Sequence, residues 1–144
     1  MFYNKCDEQE YNLQKVREDG LNIRFVQNQT PEICLEAVKQ DGNALLYVKN
    51  QTPEICLEAV RQNGFSIKYV KNQTPELCIE AIKRNGYVLE YIKEQTPELI
   101  HNLKKYKVRI YENIKRGKFH IPITITDEEM EEFYKENPHL LLTL

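Results

Sequence analysis

Residues 52–64 read TPEICLEAVRQNG, and this stretch decides the fold. Thr52 is a good helix N-cap. Pro53 suits the first helical position, where its missing N–H costs nothing, and Glu54 complements the positive end of the helix dipole. Ile55, Cys56, Ala59 and Val60 fall at i, i+1, i+4 and i+5, which makes one helical stripe. Glu58, Arg61 and Gln62 face away, with Glu58 and Arg61 spaced to pair at i+3. Asn63-Gly64 is a stop signal in which Gly64 is expected to supply a left-handed conformation.

Working outward, the stretch recurs every 22 residues. Thr30-Pro31-Glu32, Thr52-Pro53-Glu54, Thr74-Pro75-Glu76 and Thr96-Pro97-Glu98 share that step. So do Gly20, Gly42, Gly64 and Gly86, and so do Phe25, Tyr47, Tyr69 and Tyr91. Units 31–52, 53–74 and 75–96 are nearly identical. A worn copy precedes them, with Leu13, Val16, Asp19 and Gly20 in register. Another follows from Pro97, with Val108 where the glycine belongs. A repeat of this length points to a stacked array, because a helix of two or three turns is not stable alone and must bury its stripe against neighbours.

The second half of each unit, Phe65 to Asn72 in the central copy, is read as a second, shorter helix from the spacing of Ile67 with Val70 and Ser66 with Val70. The alternation of Phe65, Ile67 and Tyr69 also fits a strand. A strand and helix per 22 residues would suggest a leucine-rich-repeat horseshoe, but the Leu-x-x-Leu-x-Leu-x-x-Asn pattern is missing. The expected fold is all-α: a short α-solenoid of 22-residue two-helix repeats with a helical C-terminal cap. The array spans 1–118, and 119–144 is an extension.

The run Thr-Pro-Glu-Ile-Cys-Leu-Glu-Ala-Val-x-Gln-x-Gly followed by Leu-x-Tyr-Val-Lys-Asn-Gln resembles the repeats called domain of unknown function 4116. Residues 30–51, 52–73 and 74–95 carry the resemblance closely. It implies a helical repeat and a viral or host-interaction setting, since such repeats occur in giant viruses of amoebae, some bacteria and some protists. It implies no activity and no catalytic residues, and it is silent on 99–144.

Cys34, Cys56 and Cys78 repeat on the apolar stripe. Neighbouring helices keep about 8–10 Å between axes, beyond the reach of a disulfide or one zinc ion, so they are assigned to the core. Cys6 has no visible partner. His101, His120 and His139 lack metal-ligand spacing, and Ser66 is the only serine. No phosphate-binding glycine loop is present. Neither metal, cofactor nor catalytic residue is expected. Gln51-Thr52 and Gln73-Thr74 precede helix starts, where they either cap and bridge units or, with stacked N-termini, bind an anion. Lys49, Lys71 and Lys93 form a basic ladder. Residues 97–118 carry seven basic side chains against Glu98 and Glu112, while 119–144 carry Lys135 against six acidic ones. The two segments nearly cancel, which weakens a nucleic-acid reading of 104–118.

Leu99, Leu103, Tyr106, Ile110 and Ile114 predict a capping helix ended by Gly117, followed by a helix from Asp127 to about Glu136. Leu140, Leu141, Leu142 and Leu144 close the sequence and are expected either to dock on the array or to form an oligomer contact. With 41% hydrophobic and 29% charged residues, a net charge of -2 and no long apolar run, the composition suits a soluble, cytoplasmic protein. The expected function is a non-enzymatic protein–protein interaction module. A structural homo-oligomer is the alternative. Unit-invariant Thr, Pro, Cys, Ala, Gly and Tyr are assigned to the scaffold. The varying positions Arg24, Leu46, Lys68 and Glu90, and a second set with Asn22, Ala44, Ser66 and Val88, are the candidate partner surface.

Overall fold

The structure is a computed structural model and describes residues 4–96 together with Leu99, Glu128, Glu131 and Lys135. The chain divides into two compact units, Met1–Lys93 and Glu94–Leu144. The expected capping helix, the basic segment 104–118, the 118/119 boundary and the leucine tail lie outside the described residues.

The first unit alternates α-helices with 3-10 helices, labelled η. The order is α1 (Lys5–Glu18), η1 (Gly20–Phe25), α2 (Pro31–Gln40), η2 (Gly42–Tyr47), α3 (Pro53–Gln62), η3 (Gly64–Tyr69), α4 (Pro75–Arg84) and η4 (Gly86–Tyr91). There is no strand among the described residues. Each α-helix packs on the next, and each η-helix packs on the next and on the following α-helix. Two layers result, with the core between them. Ile55, Cys56, Ala59 and Val60 supply its α side in the central unit, and Ile67 and Val70 its η side.

The Thr-Pro start behaves as its chemistry requires. Thr30, Thr52 and Thr74 sit at extended angles imposed by the following proline, and each Oγ1 accepts from the N–H three residues on at 3.3 Å. The α-to-η junction is a single residue. Asn63 donates its N–H to the Ala59 carbonyl, closing α3, and its Oδ1 accepts from Phe65 N–H, opening η3. Asp19, Asp41 and Asn85 repeat this double cap.

The second helix of the unit is therefore present, but as a 3-10 helix. Buried positions three apart line one face of it, namely Gly20, Ile23 and Val26; Gly42, Leu45 and Val48; Gly64, Ile67 and Val70, with Ala44, Ser66 and Val88 buried beside them. Three residues per turn put such positions on one face. Six residues as 3-10 helix span about 12 Å, against about 9 Å as α-helix, and so cover more of the roughly 15 Å helix beside them.

The glycine is not left-handed. Gly20, Gly42 and Gly64 all lie outside the positive-φ region, and their role is close approach. A Cβ on Gly42 would stand 2.5 Å from the Ala59 carbonyl oxygen of the next unit. One smaller expectation also fails. Glu36 pairs with Lys39 at i+3 as the spacing suggests, and Glu80 pairs with Arg84 at i+4, but Glu58 and Arg61 form no ion pair.

Candidate interaction ridge

The two layers differ in what they show to solvent. The α layer shows charge. Glu36 accepts from Arg17 of the preceding unit at 3.2 Å and from Lys39 at 3.4 Å, and the Arg17 hydrogen bond holds its carboxyl below the usual range. The η layer shows rings and apolar side chains. Phe25, Leu46, Tyr47, Tyr87 and Tyr91 are the large apolar residues exposed there, and among the described residues only Tyr11 is exposed elsewhere. Phe25 is 71% exposed and Leu46 52%.

The ridge is ordered by ring contacts. Arg24 lies 4.6 Å from the centre of the Phe25 ring. The Lys68 ammonium lies 4.8 Å from the Tyr69 ring and 5.9 Å from the Tyr91 ring one unit on, and Phe65 meets Tyr91 edge-to-face at 6.0 Å. Such contacts hold the cations against the ring faces and fix their positions along the array.

The candidate surface positions separate into two groups. Arg24, Leu46, Lys68 and Glu90 are all exposed and stand on this ridge. The second set turns inward. Ser66 is fully buried, as are Ala44 and Val88, and Asn22 is half-buried with its Nδ2 donating to the Lys15 carbonyl at 2.9 Å. Ser66 and Asn22 therefore belong to the packing between layers, not to a partner surface, because their place on the 3-10 turn faces the α layer. The aromatic set Phe25, Tyr47, Tyr69 and Tyr91 moves the other way. Repetition suggested scaffold, but Phe25, Tyr47 and Tyr91 are exposed and Tyr69 is half-buried, all on the ridge. The available signal was their position beside Arg24, Leu46, Lys68 and Glu90 in every unit.

The polar ladders have structural work. Each glutamine joins three strands of chain. Gln51 donates Nε2 to the carbonyls of Leu45 at 3.3 Å and Tyr69 at 3.0 Å, and its Oε1 accepts from Lys71 N–H at 3.0 Å. Gln29 and Gln73 repeat the pattern one unit away on either side. The lysine ladder serves the same edge. Lys49 donates Nζ to Gln27 O at 3.0 Å, Lys71 to Lys49 O at 3.3 Å and Lys93 to Val70 O at 3.2 Å. With ammonium groups on carbonyls and threonine oxygens on the first-turn N–H groups, this edge is capped and bridged.

The cysteine ladder is core. Cys34, Cys56 and Cys78 are buried free thiols. Burial pushes all three thiols up, Cys78 to about 11, so they stay protonated at neutral pH. Among the described residues no group of three His, Cys, Asp or Glu side chains is placed to hold a metal ion. None of the described helices is long and apolar enough to cross a membrane.

Comparison with known proteins agrees with the repeat. The family model described as "Domain of unknown function (DUF4116)" matches residues 30–74 and again 52–96, two overlapping windows offset by one 22-residue unit. No curated protein and no solved structure matches the chain. The repeat array of this chain, residues 30–96, belongs to the DUF4116 family.

Proposed function

We propose that the array is a non-enzymatic protein-interaction module whose contact face is the η ridge. The observation that carries this reading is the asymmetry of the two layers. Large apolar and aromatic side chains are exposed along the η-helices, whereas the α layer is charged, with Arg17, Glu36, Lys39, Glu80 and Arg84 in ion pairs. Exposed aromatic side chains flanked by Arg or Lys are the composition of protein contact surfaces. The repeat multiplies that surface along the stack, as in other repeat arrays. Four free thiols, with Cys6 exposed, suit a reducing, intracellular setting.

Site-specific photo-crosslinking tests the reading. A photoreactive residue at Leu46 on the ridge, introduced into protein exposed to its native lysate, is expected to capture a discrete partner. The same residue at Arg61, exposed on the α layer, is not. Lys68→Glu combined with Glu90→Lys should weaken that capture while circular dichroism shows the array still folded. Equal labelling from both positions, or undiminished capture by the double variant, would reject the ridge.

A further inference from the structure

We infer that the ridge receives an extended polypeptide in the polyproline-II conformation, laid along the stack with every third residue facing it. The facing residues read acidic, apolar, acidic, basic from η1 to η4. This deepens the proposed interaction role and rests on it.

Charge selects the class of partner. One register position of the four η-helices carries Arg24, Leu46, Lys68 and Glu90, all exposed. A nucleic acid brings a phosphate at every step. It would find a cation at two positions, an apolar side chain at the third and a carboxylate, Glu90, at the fourth. A polypeptide varies its charge residue by residue and complements the series throughout.

Pitch selects the conformation. Packed helices keep about 8–10 Å between axes, which sets the step from one η-helix to the next. A polyproline-II chain advances about 3.1 Å per residue with three residues per turn, so one side of it repeats at about 9 Å. A β-strand covers a similar distance in three residues but turns alternate side chains to opposite faces. An α-helix repeats at about 5.4 Å. Only the polyproline-II step keeps one residue facing each repeat.

The rings supply the remaining contact. Phe25, Tyr47, Tyr69 and Tyr91 lie beside the four reading positions, and Lys68 spans the rings of two successive units at 4.8 and 5.9 Å. Proline-rich segments dock on aromatic-lined surfaces in this way, helped by the low entropy cost of ordering a preformed polyproline-II chain.

The test uses the full chain and two fluorescein-labelled peptides, Glu-Pro-Pro-Leu-Pro-Pro-Glu-Pro-Pro-Lys and its reverse, followed by anisotropy at low salt. One orientation is expected to bind at least roughly tenfold tighter than a control with Gly-Ser in place of each Pro-Pro pair. Lys68→Glu should weaken that peptide about tenfold, and changing the peptide Glu three residues from its Lys, the one facing position 68, to Lys should restore binding. Lys68→Ala should give an intermediate loss and stands in if the reversed charge disturbs folding. The inference is overturned if neither orientation exceeds the control, if the charge exchange gives no rescue, or if single-stranded oligothymidylate binds more tightly than both. A discrete cross-link from Leu46 together with peptide failure would remove the polyproline-II partner and leave the interaction ridge standing. Failure of both would remove both.

Discussion

A methyl group on Gly42 would meet the Ala59 carbonyl oxygen at 2.5 Å, Ser66 Oγ at 2.7 Å and Gln62 Oε1 at 2.9 Å. On Gly64 the nearest atoms are Ala81 O at 2.9 Å and Arg84 Cβ at 3.0 Å. Overpacking of this kind costs about 1–3 kcal/mol, so Gly42→Ala should destabilise the protein by that amount and Gly64→Ala by less. Urea unfolding of the two variants checks the order, and equal stability of Gly42→Ala and wild type would contradict the close-approach account. Ser66 presents the opposite case. Its Oγ is buried and finds no hydrogen-bond partner, and its counterparts in adjacent units are Ala44 and Val88. Ser66→Ala removes an uncompensated hydroxyl and should be neutral or stabilising by up to about 1 kcal/mol. A loss of more than that in the same measurement would show that the hydroxyl is satisfied. Both residues mark where sequence reading ends. A glycine after Asn63 looks the same whether it serves a left-handed turn or a close approach, since either needs the absence of Cβ. A varying position looks the same whether it faces solvent or the neighbouring layer.

Beside the apolar core, a glutamine ties each η-helix to the next. Gln51 closes the end of η2 through the Leu45 carbonyl and reaches η3 through Tyr69 O and Lys71 N–H. Gln51→Ala would remove three hydrogen bonds and leave Tyr69 O and Lys71 N–H without that partner, while Leu45 O keeps Val48 N–H, so the loss should be about 1–2 kcal/mol. Gln51→Glu keeps the acceptor for Lys71 N–H but sets a carboxylate oxygen against the Leu45 and Tyr69 carbonyls, so it should be at least as destabilising as alanine. Thermal melts of the two variants test this, and an alanine variant as stable as wild type would remove the glutamine from the account. The α-helices were legible from Thr-Pro, the apolar stripe and the stop. The second helix was legible as a helix only. Six residues make two turns of a 3-10 helix and fewer of an α-helix, and over so short a run steps of 3 and 3.6 cannot be told apart. Its exposed side was also hidden, because Tyr47, Tyr69 and Tyr91 are apolar enough for a core and polar enough for a surface.

At the scale of the array, every extensive contact lies within a unit or between adjacent units, so stability is close to a sum over units and junctions. Deleting 53–74 joins Thr52 to Pro75 and restores the Thr-Pro cap. The shortened chain should fold cooperatively, with unchanged helical signal per residue for the array, a lower melting temperature and a smaller urea dependence. Loss of cooperative folding would contradict nearest-neighbour stacking. The sequence by itself determined the 22-residue unit, the α-helix in each copy and the burial of the cysteine ladder. Those follow from local capping chemistry and from periodicity, both carried by residues close together in the chain. Tertiary structure alone decided that the second helix is 3-10, that the glycines admit the next unit's carbonyl, that the glutamines and lysines bind across units, and that the aromatic ladder lies open on the ridge. Each of these depends on atoms about 20 residues away in sequence, and which side of a short helix meets them is set only when the units stack.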